Sequence, residues 1–518
     1  MISNPNSKSL IHDYSLYFIT IFASIVLSII SCLHYQPFNI DGILYLQSAQ
    51  AFVQNGFHAA FNTYPWPFYS ILIGIISLFT SLSLENAAFF LNFILTTTII
   101  LSFILLIKEL GGDRQTQIFA AIVILLFPYL NHDRDNILRD FGYYAFTLIS
   151  LLMFIRFFKK PDFRIACMWG ISAIIATLFR VEGFVLLALA PTALFFQTQF
   201  RFFKRILNII KIYLLPIICL GLFLIFKPKH NHMFDSNLAG AGYFYYYLTN
   251  VKSLLFTTLN SKITFLNKTL FVNSMISADA IAPFFYSGLL GIFFSYLISA
   301  IGIGYLLLSY HAIRYHLIPT NKNTIIPWTT YLSLTFLTII AFLLLEFFLT
   351  DRYIFMPGIL LVLAAPFSLN TIYNNWRNKK ACFTGKRWVF PVICIFLIFN
   401  LISSVGHFGT SKVYIRQAGN WLDKNTATNS RIFSNDPQLM YYSHRTFWTD
   451  YKILAANSDP LFVLRNVDLK KYDYFAIMFE RNQLSEKEPV LKLLQTKPIV
   501  TFCNKKGDCA WIFQAQQT

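Results

Sequence analysis

Phe38-Asn39-Ile40-Asp41-Gly42-Ile43-Leu44-Tyr45 follows the first long apolar run of the chain, residues 15 to 35, and places a lone carboxylate just beyond it. About 20 apolar residues, at about 1.5 Å of helix each, cross the roughly 30 Å hydrocarbon core of a bilayer. Asp41 therefore falls where the chain has just crossed a membrane, and a carboxylate at that depth is costly enough to point to a functional role. Working outward, Gly56 and Tyr64-Pro65-Trp66-Pro67 are turn signals, and the two prolines open an apolar stretch from Phe68 to Thr80.

The rest of the chain has the same character. Its 518 residues are 56% hydrophobic, 18% aromatic and only 13% charged, with a mean hydropathy of +0.54, outside the range of soluble globular proteins. The formal net charge is +18, but Lys and Arg sit in short clusters between apolar runs, so the basic excess reads as membrane topology and not as nucleic-acid binding. Clusters at Lys8, Lys108 with Arg114, 156–164, 201–211, 311–322 and 377–387 are assigned to the cytoplasmic face. If residues 15–35 run outward and 87–107 run back, Phe68–Thr80 is too much for the count and becomes a juxtamembrane or re-entrant helix. Further spans at 116–131, 141–158, 164–180, 183–199, 206–226, 284–308, 326–349, 353–371 and 388–405 give about eleven transmembrane helices in all. The N-terminal run lacks a small-residue cleavage site and is read as a retained helix.

The fold class is thus an all-α polytopic membrane protein with outer-face juxtamembrane helices and a small C-terminal α/β soluble domain. A membrane domain covers 1–405, with outer loops at 36–86, 132–140 and 227–283, and an extracytoplasmic domain covers 406–518. In the third loop, Val251, Leu255, Leu259, Ile263, Leu266 and Leu270 recur every three or four residues, the spacing of an amphipathic helix lying in the interface. The preceding Tyr243-Phe244-Tyr245-Tyr246-Tyr247 fits an aromatic belt at headgroup level or a sugar-stacking surface. Beyond 405 the pattern predicts helices at 415–423 and 487–495 and strands at 431–434, 472–479 and 498–503. Cys503 and Cys509 flank a polar hairpin and form either a disulfide or two free thiols, depending on the compartment.

Acidic residues are scarce, so their positions carry information. Asp41, Asp133, Asp135, Asp140, Glu182 and Asp351 all fall at outer-face turns, and Glu346 lies a turn inside the membrane. Asp41 and Asp140 are the candidate catalytic carboxylates. Arg139, Arg180 and Arg352 flank helix ends on the same face, where a guanidinium fork suits a lipid phosphate; the alternative is pairing with the neighbouring acids. Asp133-Arg134-Asp135 has the D-x-D spacing that holds a divalent cation in some transferases, the alternative being a hydrated loop. No Ser-His-Asp order, phosphate-cradling glycine loop or His-Cys zinc spacing is present.

These features together resemble the GT-C superfamily of polyprenyl-phosphate-sugar-dependent glycosyltransferases, in its protein O-mannosyltransferase and aminoarabinose-transferase branch. The matching stretches are Asp41-Gly42-Ile43-Leu44-Tyr45, Tyr64-Pro65-Trp66-Pro67-Phe68-Tyr69, Leu110-Gly111-Gly112, Leu138-Arg139-Asp140, Phe179-Arg180-Val181-Glu182-Gly183 and Asp351-Arg352-Tyr353. The resemblance implies an enzyme of the bacterial inner membrane that moves a sugar, with inversion, from a lipid-linked donor to a lipid, glycan or protein acceptor on the outer face. It implies Asp41 as general base, Asp140 as a second acid, and Tyr45 and Tyr64 beside the arginines as substrate-binding residues, with a divalent metal as a further expectation. One departure is that many members carry a second carboxylate where this chain has Gly42. Two other classes compete: a transporter or flippase of lipid-linked glycans, and a non-enzymatic membrane scaffold. The first calls for ionisable residues near mid-membrane and a repeat relating two halves. The charges of this chain cluster at the ends of its apolar runs.

Overall fold

A computed structural model describes residues 5–33, 36–226, 253–269, 278–319, 321–378, 388–406, 411–445 and 459–515. The Tyr243–Tyr247 run and Cys382 lie outside them, as does part of the predicted amphipathic helix. The described chain falls into two compact units.

The membrane unit comprises residues 1–29, 48–134 and 138–405. Its helices are α1 (Pro5–Cys32), α2 (Ile40–Thr63), α3 (Phe68–Thr80), α4 (Leu84–Glu109), α5 (Arg114–Leu125), α6 (Pro128–His132), α7 (Asp140–Lys159), α8 (Phe163–Phe179), α9 (Gly183–Leu189) and α10 (Phe202–Phe226), of which α1 and α2 each share residues with the second unit. After these come α11 (Leu259–Thr269), α12 (Ala278–Ile301), α13 (Ile303–Arg314), α14 (Lys322–Glu346), α15 (Asp351–Val362), α16 (Ala365–Arg377) and α17 (Val389–Val405). Among the described residues six helices are long and apolar enough to cross a membrane, or seven if the pair α15 and α16, bent by 44°, is one span. The protein is a multi-pass helical membrane protein.

Local chemistry explains the boundaries. Pro67 caps α3, and Ser81 ends it in a left-handed turn at φ 56°. Ser83 and Asp113 cap α4 and α5 by accepting from Asn86 N at 3.3 Å and Thr116 N at 2.8 Å. The run predicted at 284–308 is two helices, broken at Gly302, whose φ of 82° suits a residue without a β-carbon. The predicted spans at 116–131, 164–180, 183–199 and 388–405 are short: α5 has 12 residues, α8 and α17 have 17, and α9 has 7 before a 3₁₀ segment. Glu109 at the end of α4 takes Arg156 at 2.7 Å and Lys159 at 2.8 Å from the end of α7, so two of the basic clusters meet at one end of the unit.

The second unit comprises residues 30–47, 135–137 and 406–518. Its elements are α18 (Val413–Asn425), β1 (Ile432–Ser434), α19 (Pro437–Tyr442), α20 (Pro460–Arg465), β2 (Tyr474–Phe479), α21 (Lys487–Leu494), β3 (Val500–Cys503) and β4 (Cys509–Gln514). The sheet order is β1-β2-β4-β3, with β1 parallel to β2 and both other pairings antiparallel. One face packs on α18 through Ile415, Leu422, Ala476 and Ile512; Phe433, Val463, Phe475 and Val490 fill a second cluster. Cys503 and Cys509 are disulfide-bonded across the β3–β4 hairpin, while Cys32, Cys167, Cys219 and Cys394 are free.

Candidate active site

The end of the second acidic loop, at Arg139 and Asp140, stands beside a cavity. Arg139 is the N-cap residue of α7 and Asp140 its first residue, and the position is set by a close approach behind it. A β-carbon on Gly142 would lie 2.3 Å from the Phe179 ring, so only glycine lets α7 sit this tightly on α8. Phe179 is in turn met edge-on by Phe68 of α3 at 5.0 Å, and Tyr69 holds α3 to α4 by donating to Asn92 Oδ1 at 2.7 Å.

Arg180 ends α8 and donates from Nη1 to Asp140 and from Nη2 to Glu182, with Nε 3.2 Å from both Glu182 oxygens. Arg180 is 5% exposed and Asp140 1%. Burial works against the charged guanidinium, but Asp140 and Glu182 more than offset it, so Arg180 stays charged with its pKa raised. Burial likewise opposes the Glu182 carboxylate, and Arg180 overrides it and holds that carboxyl below its ordinary range. The turn packs closely on α8 just after Glu182, where a β-carbon on Gly183 would meet Thr177 N at 2.7 Å.

Around this cluster lies a cavity of about 670 Å³ lined by Tyr64, Arg139, Tyr143, Tyr144, Arg180, Glu182, Glu346, Arg352 and Tyr353, among others. The Arg139 guanidinium sits 5.4 Å over the Tyr64 ring, and those of Arg180 and Arg352 lie 4.8 and 5.7 Å from the Tyr353 ring. Tyr144 donates its hydroxyl to the Arg352 carbonyl at 2.5 Å, fixing the start of α15. Apolar lining comes from Leu337, Ile339, Phe342 and Leu345 of α14 with Met356 and Pro357 of α15. The structure therefore gathers Tyr64, Arg139, Asp140, Arg180 and Arg352 in one place. It adds Tyr143, Tyr144 and the α14 residues Thr335 and Thr338, which sequence reasoning missed because tyrosine and threonine inside apolar runs read as core.

Asp41 and Tyr45 belong to the second unit. Asp41 lies in the first turn of α2, where the positive end of the helix dipole favours a carboxylate, and Tyr45, one turn on, is 3% exposed. Of the D-x-D stretch, Asp133 pairs with His132 Nδ1 at 3.1 Å. Arg134 is 1% exposed, donating to Asn131 Oδ1 at 2.7 Å, Ser24 O at 3.2 Å and Ser28 Oγ at 2.7 Å. Among the described residues no group of three or more His, Cys, Asp or Glu is placed to hold a metal ion.

Fold and cavity define a helical membrane protein with three arginines and many apolar side chains lining one cavity. No protein-family model matches the chain, and no curated protein sequence matches it. Among solved structures, the apo oligosaccharyltransferase of Archaeoglobus fulgidus has a TM-score of 0.51 at 14% identity, covering 80% of this chain and 58% of its own. The same protein tethered to an acceptor peptide containing an NVT sequon scores 0.50, also at 14% identity, over 80% of this chain and 57% of that one. The chain thus spans less than two thirds of the archaeal protein, and the likeness is one of fold. ArnT from Cupriavidus metallidurans bound to undecaprenyl phosphate aligns over 96% of this chain and 97% of its own at 11% identity, with a TM-score of 0.43, too low to carry an inference.

Proposed function

We propose that the protein is an integral membrane glycosyltransferase that moves a sugar from a polyprenyl-phosphate carrier to a lipid, glycan or protein acceptor. The observation that carries this reading is the cavity that Arg139, Arg180 and Arg352 line together with apolar residues of α14 and α15. A polyprenyl phosphate has the complementary chemistry: a dianionic head for guanidinium forks and a hydrocarbon tail for the apolar lining. Arg139, Arg352 and Arg180 are assigned the phosphate, and Arg180, through its bonds to Asp140 and Glu182, is also assigned the role of holding α7 and the α8–α9 turn in place.

In the proposed reaction Asp41 accepts the proton of an acceptor hydroxyl or amine as its oxygen or nitrogen attacks the anomeric carbon. The bond from that carbon to the phosphate oxygen breaks, its electron pair leaves with the polyprenyl phosphate, and the configuration inverts in a single displacement. Charge developing on the phosphate is what the arginines stabilise. The proposed setting is the outer face of a bacterial inner membrane, with the C-terminal unit extracytoplasmic. A phosphate already attached to the sugar makes a nucleotide unnecessary there.

The test is binding of undecaprenyl phosphate to the purified protein by native mass spectrometry. Loss of a charge-assisted hydrogen bond costs about 1.5–3 kcal/mol, so Arg139→Ala with Arg352→Ala is expected to weaken binding by at least about tenfold. Equal binding by the parent and the double variant would remove the basis of this reading.

A further inference from the structure

The second unit shows an unusual grip on the backbone just before Asp41. The Phe38 N–H donates to the Tyr442 hydroxyl oxygen at 3.0 Å, and Gln438 Nε2 donates to the Phe38 carbonyl at 2.6 Å. Both main-chain groups of one residue are thus taken by side chains of α19, four residues apart and so on one helical face. The Phe38 ring packs against Tyr441 at 5.9 Å and Tyr442 at 5.8 Å. Phe38 and Tyr442 are each 5% exposed, and Gln438 7%. Buried bonds of this kind hold their geometry, because an unpaired main-chain group there would lose its partner without gaining water.

The next residue is locked as firmly. Asn39 Nδ2 donates to the Ile137 carbonyl at 3.2 Å, and Asn39 Oδ1 accepts from Ile137 N at 2.9 Å, a two-bond pairing that copies a strand ladder with a side chain. The Asn39 carbonyl then accepts from Ile43 N at 3.1 Å, starting α2. A β-carbon on Gly42 would lie 2.6 Å from Asn39 Oδ1 and 2.9 Å from Ile137 Cβ. Any larger residue, a second carboxylate included, would displace the Asn39 amide. The glycine beside Asp41 is therefore a packing requirement of this lock. Helix α19 is itself fixed: Asp436 Oδ1 accepts from Leu439 N at 2.8 Å, and a β-carbon on Gly419 of α18 would meet Tyr442 Cβ at 2.5 Å.

We infer that the C-terminal α/β fold is a positioning element for Asp41, with Gln438, Tyr442 and Asn39 as positioning residues that set where the Asp41 carboxylate stands. The inference rests on the reading of Asp41 as the base and gives the C-terminal unit a part in the reaction without contact with the reacting atoms. Side chains misplaced by about 1 Å can cost about 100-fold in rate.

The test uses full-length protein carrying Tyr442→Phe, which keeps the ring and removes the acceptor, or Gln438→Glu, which keeps the shape and removes the donor. Three quantities are read: amide exchange across residues 36–45, kcat and KM for transfer from undecaprenyl-phosphate sugars, and binding of undecaprenyl phosphate alone. Expected are faster exchange at Phe38, a kcat lowered about 10- to 100-fold, and a donor KM and lipid-phosphate binding within about twofold of the parent. Unchanged exchange at Phe38 would show that the grip does not exist; faster exchange with parental kcat would show that it does not matter. Asp41→Asn separates the two readings. If that variant transfers at the parental rate, the base assignment fails and the positioning inference with it; if it is inactive while Tyr442→Phe and Gln438→Glu keep parental kcat, the positioning inference alone fails.

Discussion

Arg180 Nη1 donates to Asp140 Oδ1 across 40 residues of sequence, with both side chains almost wholly buried. Removing one partner of such a pair leaves a buried charge uncompensated and costs about 3–5 kcal/mol. Arg180→Ala is expected to lower the thermal midpoint of the detergent-solubilised protein steeply. Asp140→Asn in that background is expected to restore part of the loss. Additive losses in the double variant, read from thermal unfolding, would show that the two side chains are not coupled.

Gly142 is expected to reject even one methyl group. Its β-carbon position is 2.3 Å from two atoms of the Phe179 ring and 2.4 Å from a third, and Phe179 is 1% exposed, so Gly142→Ala must move a buried aromatic. Overpacking of this kind costs about 1–3 kcal/mol. Phe179→Leu combined with Gly142→Ala should recover stability relative to Gly142→Ala alone. A Gly142→Ala protein with the parental midpoint would contradict the packing described.

The Arg180–Glu182 contact sets a pH dependence. The Glu182 carboxyl is held below its ordinary range in the fold by Arg180 against burial. A depressed folded-state pKa contributes stability that is complete above the unfolded value of about 4.3 and is lost as pH falls through the folded value. The thermal midpoint should therefore be level from about pH 8 to about pH 5 and fall below about pH 4, with a shallower acid fall in Glu182→Gln. An identical acid limb in parent and variant would exclude Glu182 as its source.

The Cys503–Cys509 disulfide bears on where the C-terminal unit lies. Disulfides persist in oxidising compartments and are rare in the cytosol. In intact cells these two thiols are expected to resist alkylation until a reductant is added, whereas Cys219, exposed in the structure, reacts without it once the membrane is solubilised. Alkylation of Cys503 and Cys509 before reduction would show two free thiols and remove this support for an extracytoplasmic unit.

Much of this was legible where the signals are local. Pro67 marked the start of α3 and the run to Thr80 its end. The C-terminal strands were visible as short apolar runs between turn residues, and β2 and β3 keep the predicted ends at Phe479 and Cys503. Scarcity of acids singled out Asp41 and Asp140, and pairing of Arg180 with a neighbouring acid stood as the alternative to phosphate binding; the structure shows that pairing with Asp140 and Glu182. What was hidden is non-local. Arg134 read as part of a solvated or metal-binding D-x-D loop because its acceptors Ser24 and Ser28 lie 110 and 106 residues away. Gly302 breaks a span, yet a lone glycine inside an apolar run carries no mark that separates a kink from a tolerated helical glycine. Helix α2 went unread because Gln47, Ser48, Gln50, Asn55 and Gly56 dilute its apolar pattern, and Gly56 does depart from helical geometry at φ 76°. The Asn39–Ile137 lock could not be foreseen, since it joins two loops through a side chain that imitates a backbone.

The most direct measurement of the central claim is sugar transfer by the purified protein. A panel of undecaprenyl-phosphate hexoses and pentoses is supplied with envelope lipid, glycan and protein fractions as acceptors, and acceptor-dependent release of undecaprenyl phosphate is followed for the parent and for Asp41→Asn. The account predicts release from at least one donor by the parent and a rate lower by at least about 100-fold in the variant, the range in which loss of a general base falls. No release from any donor, or the same rate in a folded Asp41→Asn protein, would contradict it.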